Sequence, residues 1–96
     1  MLKGKQKRYL RSKAHSLKPV FQVGKAGVNE NLLKQTLDAL EARELIKINI
    51  LQNCFEDKYS VAEELSQGAD AEVVQIIGNT IVLYKESVEN KKIELP

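Results

Sequence analysis

Four consecutive residues, Gly24-Lys25-Ala26-Gly27, have the types and spacing best suited to chemistry in this chain. The glycines of a Gly-x-x-Gly loop let backbone approach a ligand closely, and a helix starting just beyond would aim its free amides and positive dipole end at an anion. Lys25 adds a mobile charge, so the ligand such a loop fits is a phosphate. Glycine at this spacing also serves ordinary strand-to-helix turns. What surrounds the loop therefore decides the matter. Lys3, Lys5, Lys7, Arg8, Arg11 and Lys18 precede it, and no acid occurs before Glu30. Eight of the fifteen lysines and arginines lie in residues 1–27, and all thirteen acids lie beyond them. The formal net charge of +2 thus hides a basic end and an acidic remainder. A merely solubilising coat mixes signs, whereas sorted charge builds a local potential that suits a polyanion. The polyanion expected is RNA, gripped through its phosphates by Gly24, Lys25, Ala26 and Gly27 together with Lys3, Lys5, Lys7, Arg8, Arg11 and Lys18.

No other constellation competes. His15 is the sole histidine and has no Cys or second His at ligand spacing, so it reads as a packed or solvated residue. Cys54 lacks a partner base and cannot form an internal disulfide. Glu63-Glu64 and Glu56-Asp57 are neighbours in sequence, which diverge around a helix axis, so they form a wet face rather than a catalytic pair. Lys47 and Lys85 read as solvated strand positions. The expectation is no enzyme, no metal, no cofactor and no small-molecule substrate. Aromatic residues are sparse: Tyr9, Phe21, Phe55, Tyr59 and Tyr84. Without a cluster on one strand face, a sheet platform for base stacking is not supported.

The elements that must hold the loop follow from periodicity. Leu10, Ala14 and Leu17 recur at helical spacing over about Gln6 to Leu17, with Lys5, Arg8 and Arg11 pointing away and Lys3 and Lys7 overhanging its start. Pro19 stops that helix, and Val20–Val23 reads as a short strand running into the glycine loop. Asn29 is a good N-cap for a second helix to about Arg43, with a staple between Val28 and Leu33 and an apolar face of Leu33, Thr36, Leu37 and Leu40. Leu45–Leu51 alternates as a half-buried strand, so the helix before it implies a parallel, right-handed crossover. A third helix spans about Lys58 to Gln67, with Gly68 as its stop. Glu72–Ile77 and Thr80–Tyr84 form a hairpin about Gly78-Asn79. The order α-β-α-β-α-β-β predicts an α/β fold of the two-layer α+β kind on a mixed four-stranded sheet. The second and third helices should share a face; the side taken by the first stays open.

At 96 residues and 10.8 kDa, one domain with one modest core is expected, burying about 60–70% of its unfolded surface. We place that domain at residues 1–85 and read 86–96 as a polar tail, frayed or extended. A basic N-terminus without an apolar run behind it, and no long apolar segment, argue against secretion and membrane insertion and for a cytoplasmic monomer.

Four separated stretches now resemble a known family: Leu10 through Val20, Val23 through Val28, Glu44 through Ile48, and Ile77 through Lys85. In that order they look like a CRM domain, and within that family like the stand-alone bacterial proteins of the YhbY type. The resemblance implies an RNA-binding module whose Gly-x-x-Gly loop is likened to that of KH domains. Its fold would be similar to the C-terminal domain of translation initiation factor three. It further implies large ribosomal RNA, or its precursor particle, as partner and assistance in large-subunit assembly, with Gly24 to Gly27 meeting RNA and the basic helix alongside. The family's last strand often ends in arginine where this chain has Lys85, which keeps the charge but loses a planar bidentate donor. The alternative reading is a protein-interaction adaptor that docks an acidic partner on the basic helix.

Overall fold

The computed structural model describes residues 2–96. Its elements run α1 (Gly4–Ala14), β1 (Pro19–Val23), α2 (Glu30–Arg43), β2 (Leu45–Ile50), α3 (Lys58–Ala69), β3 (Glu72–Ile77) and β4 (Thr80–Tyr84). The strands form one sheet in the order β1-β2-β4-β3. β1 and β2 are parallel, and β4 is antiparallel to both β2 and β3, so the sheet is mixed as expected.

Local chemistry sets most boundaries. The Gln6 side chain accepts from the Lys3 amide at 3.0 Å, which starts α1 two residues earlier than periodicity suggested. Asn29 caps α2 by accepting from the Leu32 amide at 2.8 Å. Asp57 caps α3 through the amides of Tyr59 and Ser60, both at 2.9 Å, and these bonds with the Ser60 hydroxyl's hold its carboxyl below the ordinary aspartate range. Gly78 takes φ 55 in the two-residue hairpin turn, where an L side chain is strained.

Gly68 does not end the third helix, which continues to Ala69 and terminates at Asp70 in the left-handed region. The glycine instead serves close packing. A Cβ there would stand 2.6 Å from Leu33 Cδ2, so its absence lets α2 lie against α3.

Alternation along the central strands divides the apolar residues between two faces. Ile46, Ile48, Ile50, Ile81 and Leu83 join Leu40 of α2 and Val61 and Leu65 of α3 in the larger core. Leu45, Val82 and Tyr84 face the other way and pack with Leu10 and Ala14 of α1. Thus α1 covers the face opposite α2 and α3, adding a partial third layer to the two expected.

The second face also corrects the reading of the tail. Residues 86–96 form no helix or strand, but they are strapped down: Ile93 is buried and Leu95 packs on the α1 cluster. The anchor is Glu44, fully buried at the turn from α2 to β2 with φ 67. Its carboxylate accepts from the backbone amides of Ser87 (2.8 Å), Lys92 (2.5 Å) and Ile93 (2.7 Å). Burial alone would push this carboxyl up, but the three amides outweigh it and hold the group ionised below its ordinary value of 4.5. One turn earlier, Glu41 takes the amide of Val88, the hydroxyl of Ser87 and the amide of Glu89, which lower its pKa to about 2. A polar sequence looked too weak to pack because its partners, two carboxylates more than forty residues away, are not visible locally.

Candidate nucleic-acid interface

The carboxyl ends of β1 and β2 and the β3–β4 turn lie at one end of the sheet. Ile50 donates to the Asn79 carbonyl at 2.7 Å, and Leu51 donates to that of Val23 at 2.9 Å. In open α/β sheets, ligands bind outside the carboxyl ends of strands. Here that position is occupied by Gly24-Lys25-Ala26-Gly27.

The loop is a tight turn closed by the Gly27 amide on the Gly24 carbonyl at 3.0 Å. Gly27 is buried with φ 68, and a side chain there would meet Glu56 Oε1 at 2.8 Å. It is a conformational and steric requirement. Gly24 has no such φ, and a Cβ would make ordinary contacts with Leu51 Cδ1 (3.6 Å) and Asn53 Oδ1 (3.7 Å). One amide of the four is thus spent inside the turn. The amides of Lys25 and Ala26, two exposed residues, donate to no acceptor among the described residues. They border a shallow cleft of about 320 Å³ lined by Gln22, the loop, and Asn29, Asn31, Leu32 and Gln35 of the α2 N-terminal region. The Glu56 carboxylate lies against Gly27, while Glu30 and Glu64 line a different depression between α2 and α3. Glu64 is hydrogen-bonded to Glu56, which raises its pKa because two carboxyls at that distance cannot both ionise freely.

The cations of α1 are placed differently. Lys3, Lys5 and Arg8 are exposed and Lys7 and Arg11 half-exposed, and none is ion-paired with a carboxylate among the described residues. Lys13 lies over the Tyr9 ring, 5.4 Å from its centroid. None of these residues lines the loop's cleft. Arg11 and His15 border a hollow on the α1 face with Lys47 and Thr80. Lys18 sits just before β1, about 20 Å of extended chain from Gly24. The ten expected binding residues therefore fall into three groups: the loop at the end of the β1 edge strand, Lys18 just before that strand, and the cations of α1 over the face formed by β2, β4 and β3. Lys85 leaves the set of solvated positions, because its ammonium donates to the Ala69 carbonyl at 3.2 Å and neutralises the C-terminal end of α3.

Sequence reasoning missed the segment after β2, residues 51–57. It packs against both glycines through Leu51, Asn53 and Glu56, and it carries Phe55, whose ring is 83% exposed. Phe55 among polar and acidic neighbours was a signal, but nothing local placed it beside the loop. No group of three metal-ligating side chains occurs among the described residues, and no described helix is long and apolar enough to cross a membrane.

Fold and geometry define a class: a small α+β module in which a Gly-x-x-Gly turn joins an edge strand to a capped helix at the carboxyl end of the sheet. Residues 2–85 match the model of the CRS1 / YhbY (CRM) domain, and the chain belongs to that family. It is 70% identical over 96 residues, covering all of both chains, to the "Probable RNA-binding protein YqeI" of Bacillus subtilis. It is 38% identical to a protein of Haemophilus influenzae named "RNA-binding protein", over 99% of this chain and 95% of that one. The solution structure of the hypothetical protein SAV1595 from Staphylococcus aureus superposes with a TM-score of 0.83 at 61% identity, over the full length of both.

Proposed function

We propose that this protein binds structured RNA through its phosphate backbone, with the Gly24–Gly27 loop as the fixed contact and the cations of α1 and Lys18 as a dispersed second one. The observation that carries this reading is the pair of unbonded amides at the exposed residues Lys25 and Ala26, in the loop that leads into α2. Amides there offer an anion hydrogen bonds that need no rearrangement, and the α2 dipole adds to them. The unpaired α1 cations supply the longer-range attraction. Their separation from the loop suits a ligand with phosphates spread over tens of ångströms better than a compact anion. The names borne by the relatives agree with RNA as that ligand. On the family likeness, the RNA we put forward is that of the large ribosomal subunit or its precursor particle, with assistance in assembly as the role.

The test is a fluorescence-anisotropy titration of a structured ribosomal RNA fragment with wild type and Lys25→Asp. The exposed Lys25 side chain makes no contact that folding needs, so the variant should melt within a degree or two of wild type. It should also bind several-fold more weakly, with the salt slope reduced by about one. Equal loss of stability and binding would make the loop a structural turn only. Retention of a protein partner after nuclease treatment, with no RNA bound, would favour the adaptor.

A further inference from the structure

We infer that Phe55 is a base-stacking residue: it takes the base of an unpaired nucleotide whose phosphate lies on the glycine loop. The inference rests on the phosphate-binding reading above and extends it from backbone contact to base contact.

The ring is held in water by a pinned segment. Leu51 donates to Val23 at 2.9 Å and Cys54 donates to Leu51 at 3.1 Å, while Cys54 itself packs against the larger core. At the far end, Asp57 is fixed by its two capping bonds to α3. Between these anchors Asn53 lies against Gly24 and Glu56 against Gly27. Phe55 is thus one residue from a contact with one glycine and two from a contact with the other, which places its backbone within roughly 10 Å of the loop. Its side chain still remains 83% exposed. The loop thus borders the cleft beside Lys25 and touches the segment that carries this ring.

A single exposed apolar side chain is unremarkable on most surfaces. This one stands beside two free amides and a lysine, and that combination matches what single-stranded nucleic acid presents: an anionic backbone and a flat apolar face on every nucleotide. Charge also decides against the obvious rival, an apolar contact with another protein. Phe55 is preceded by Cys54, which packs on the larger core, and followed by the acidic pair Glu56-Asp57, so its immediate neighbours add no exposed apolar side chain. Glu56 is the one nearby feature that opposes an anion. It is hydrogen-bonded to Glu64 of α3, and neither lines the cleft beside Lys25. A platform on a loop also differs from the sheet platform that the sparse aromatics excluded.

The test compares wild type, Phe55→Ala and Phe55→Leu, all checked by thermal melting, against a fluorescein-labelled oligo(A) strand and a blunt RNA duplex. Because the ring is exposed, both variants should fold as wild type does. Stacking predicts about tenfold weaker binding of oligo(A) by both variants, an unchanged salt slope, and no effect on the duplex, whose bases are already stacked. Phe55→Trp, in a chain with no other tryptophan, should bind oligo(A) normally and show fluorescence quenching on binding. If wild type binds oligo(A) and Phe55→Ala matches it, the stacking role is overturned while the phosphate reading stands. If Phe55→Leu retains full affinity, ring stacking is likewise overturned. If wild type binds neither RNA, the phosphate reading falls first and this inference with it.

Discussion

Replacing Glu44 by glutamine should unlatch the tail and cost a large part of the protein's stability. The carboxylate is fully buried and serves three backbone amides: Lys92 and Ile93 on Oε1, Ser87 on Oε2. A carboxamide keeps one acceptor, so the Oε1 pair survives as neutral bonds. The other position becomes an NH₂ facing the Ser87 amide, donor against donor. Leaving one buried amide unsatisfied costs about 1–3 kcal/mol, and weakening two charge-assisted bonds to neutral ones adds about 1 kcal/mol more. The sum is roughly 2–4 kcal/mol. At about 4–8 °C per kcal/mol for a domain near this size, Tm should fall by about 8–32 °C. Differential scanning calorimetry would measure the fall, and hydrogen exchange should show the amides of Ser87, Lys92 and Ile93 losing protection. A Tm within two or three degrees of wild type, with those amides still protected, would refute the claim that Glu44 latches the tail.

The same latch predicts acid sensitivity. Glu41 and Glu44 both have folded-state pKa values below the ordinary 4.5, so the stability they add is fully present above that value. It is lost as pH falls from about 4.5 toward about 2, where Glu41 protonates; a pH series of melts should therefore show an acid limb that is shallower in Glu41→Gln. The two loop glycines should separate. Gly27→Ala must adopt φ 68 and displace the Glu56 carboxylate, costing about 1–2 kcal/mol, whereas Gly24→Ala, with only van der Waals contacts to make, should melt like wild type.

Where structure depended on neighbours in sequence, it could be read directly. The Asn29 cap, the Gly78-Asn79 turn and the alternation of Ile46, Ile48 and Ile50 are local signals, and each stands where expected. The glycine loop was legible for the same reason. Gly68 was misread because its cause, the Leu33 side chain on another helix, is non-local. The tail was misread because a buried carboxylate supplied what its own composition lacked. The placement of Phe55 and the spread of cations over two faces depend on how β1 and β2 end side by side, which pairing rather than periodicity decides.

The most direct test is the salt dependence of wild-type binding to a large-subunit ribosomal RNA fragment. Each phosphate neutralised should contribute about 0.7–0.9 to the slope of log K against log salt. Engagement of the loop together with α1 and Lys18 predicts a combined slope of about −3 or steeper. A slope near zero with affinity retained would show that phosphates are not what this surface holds, and would contradict the account.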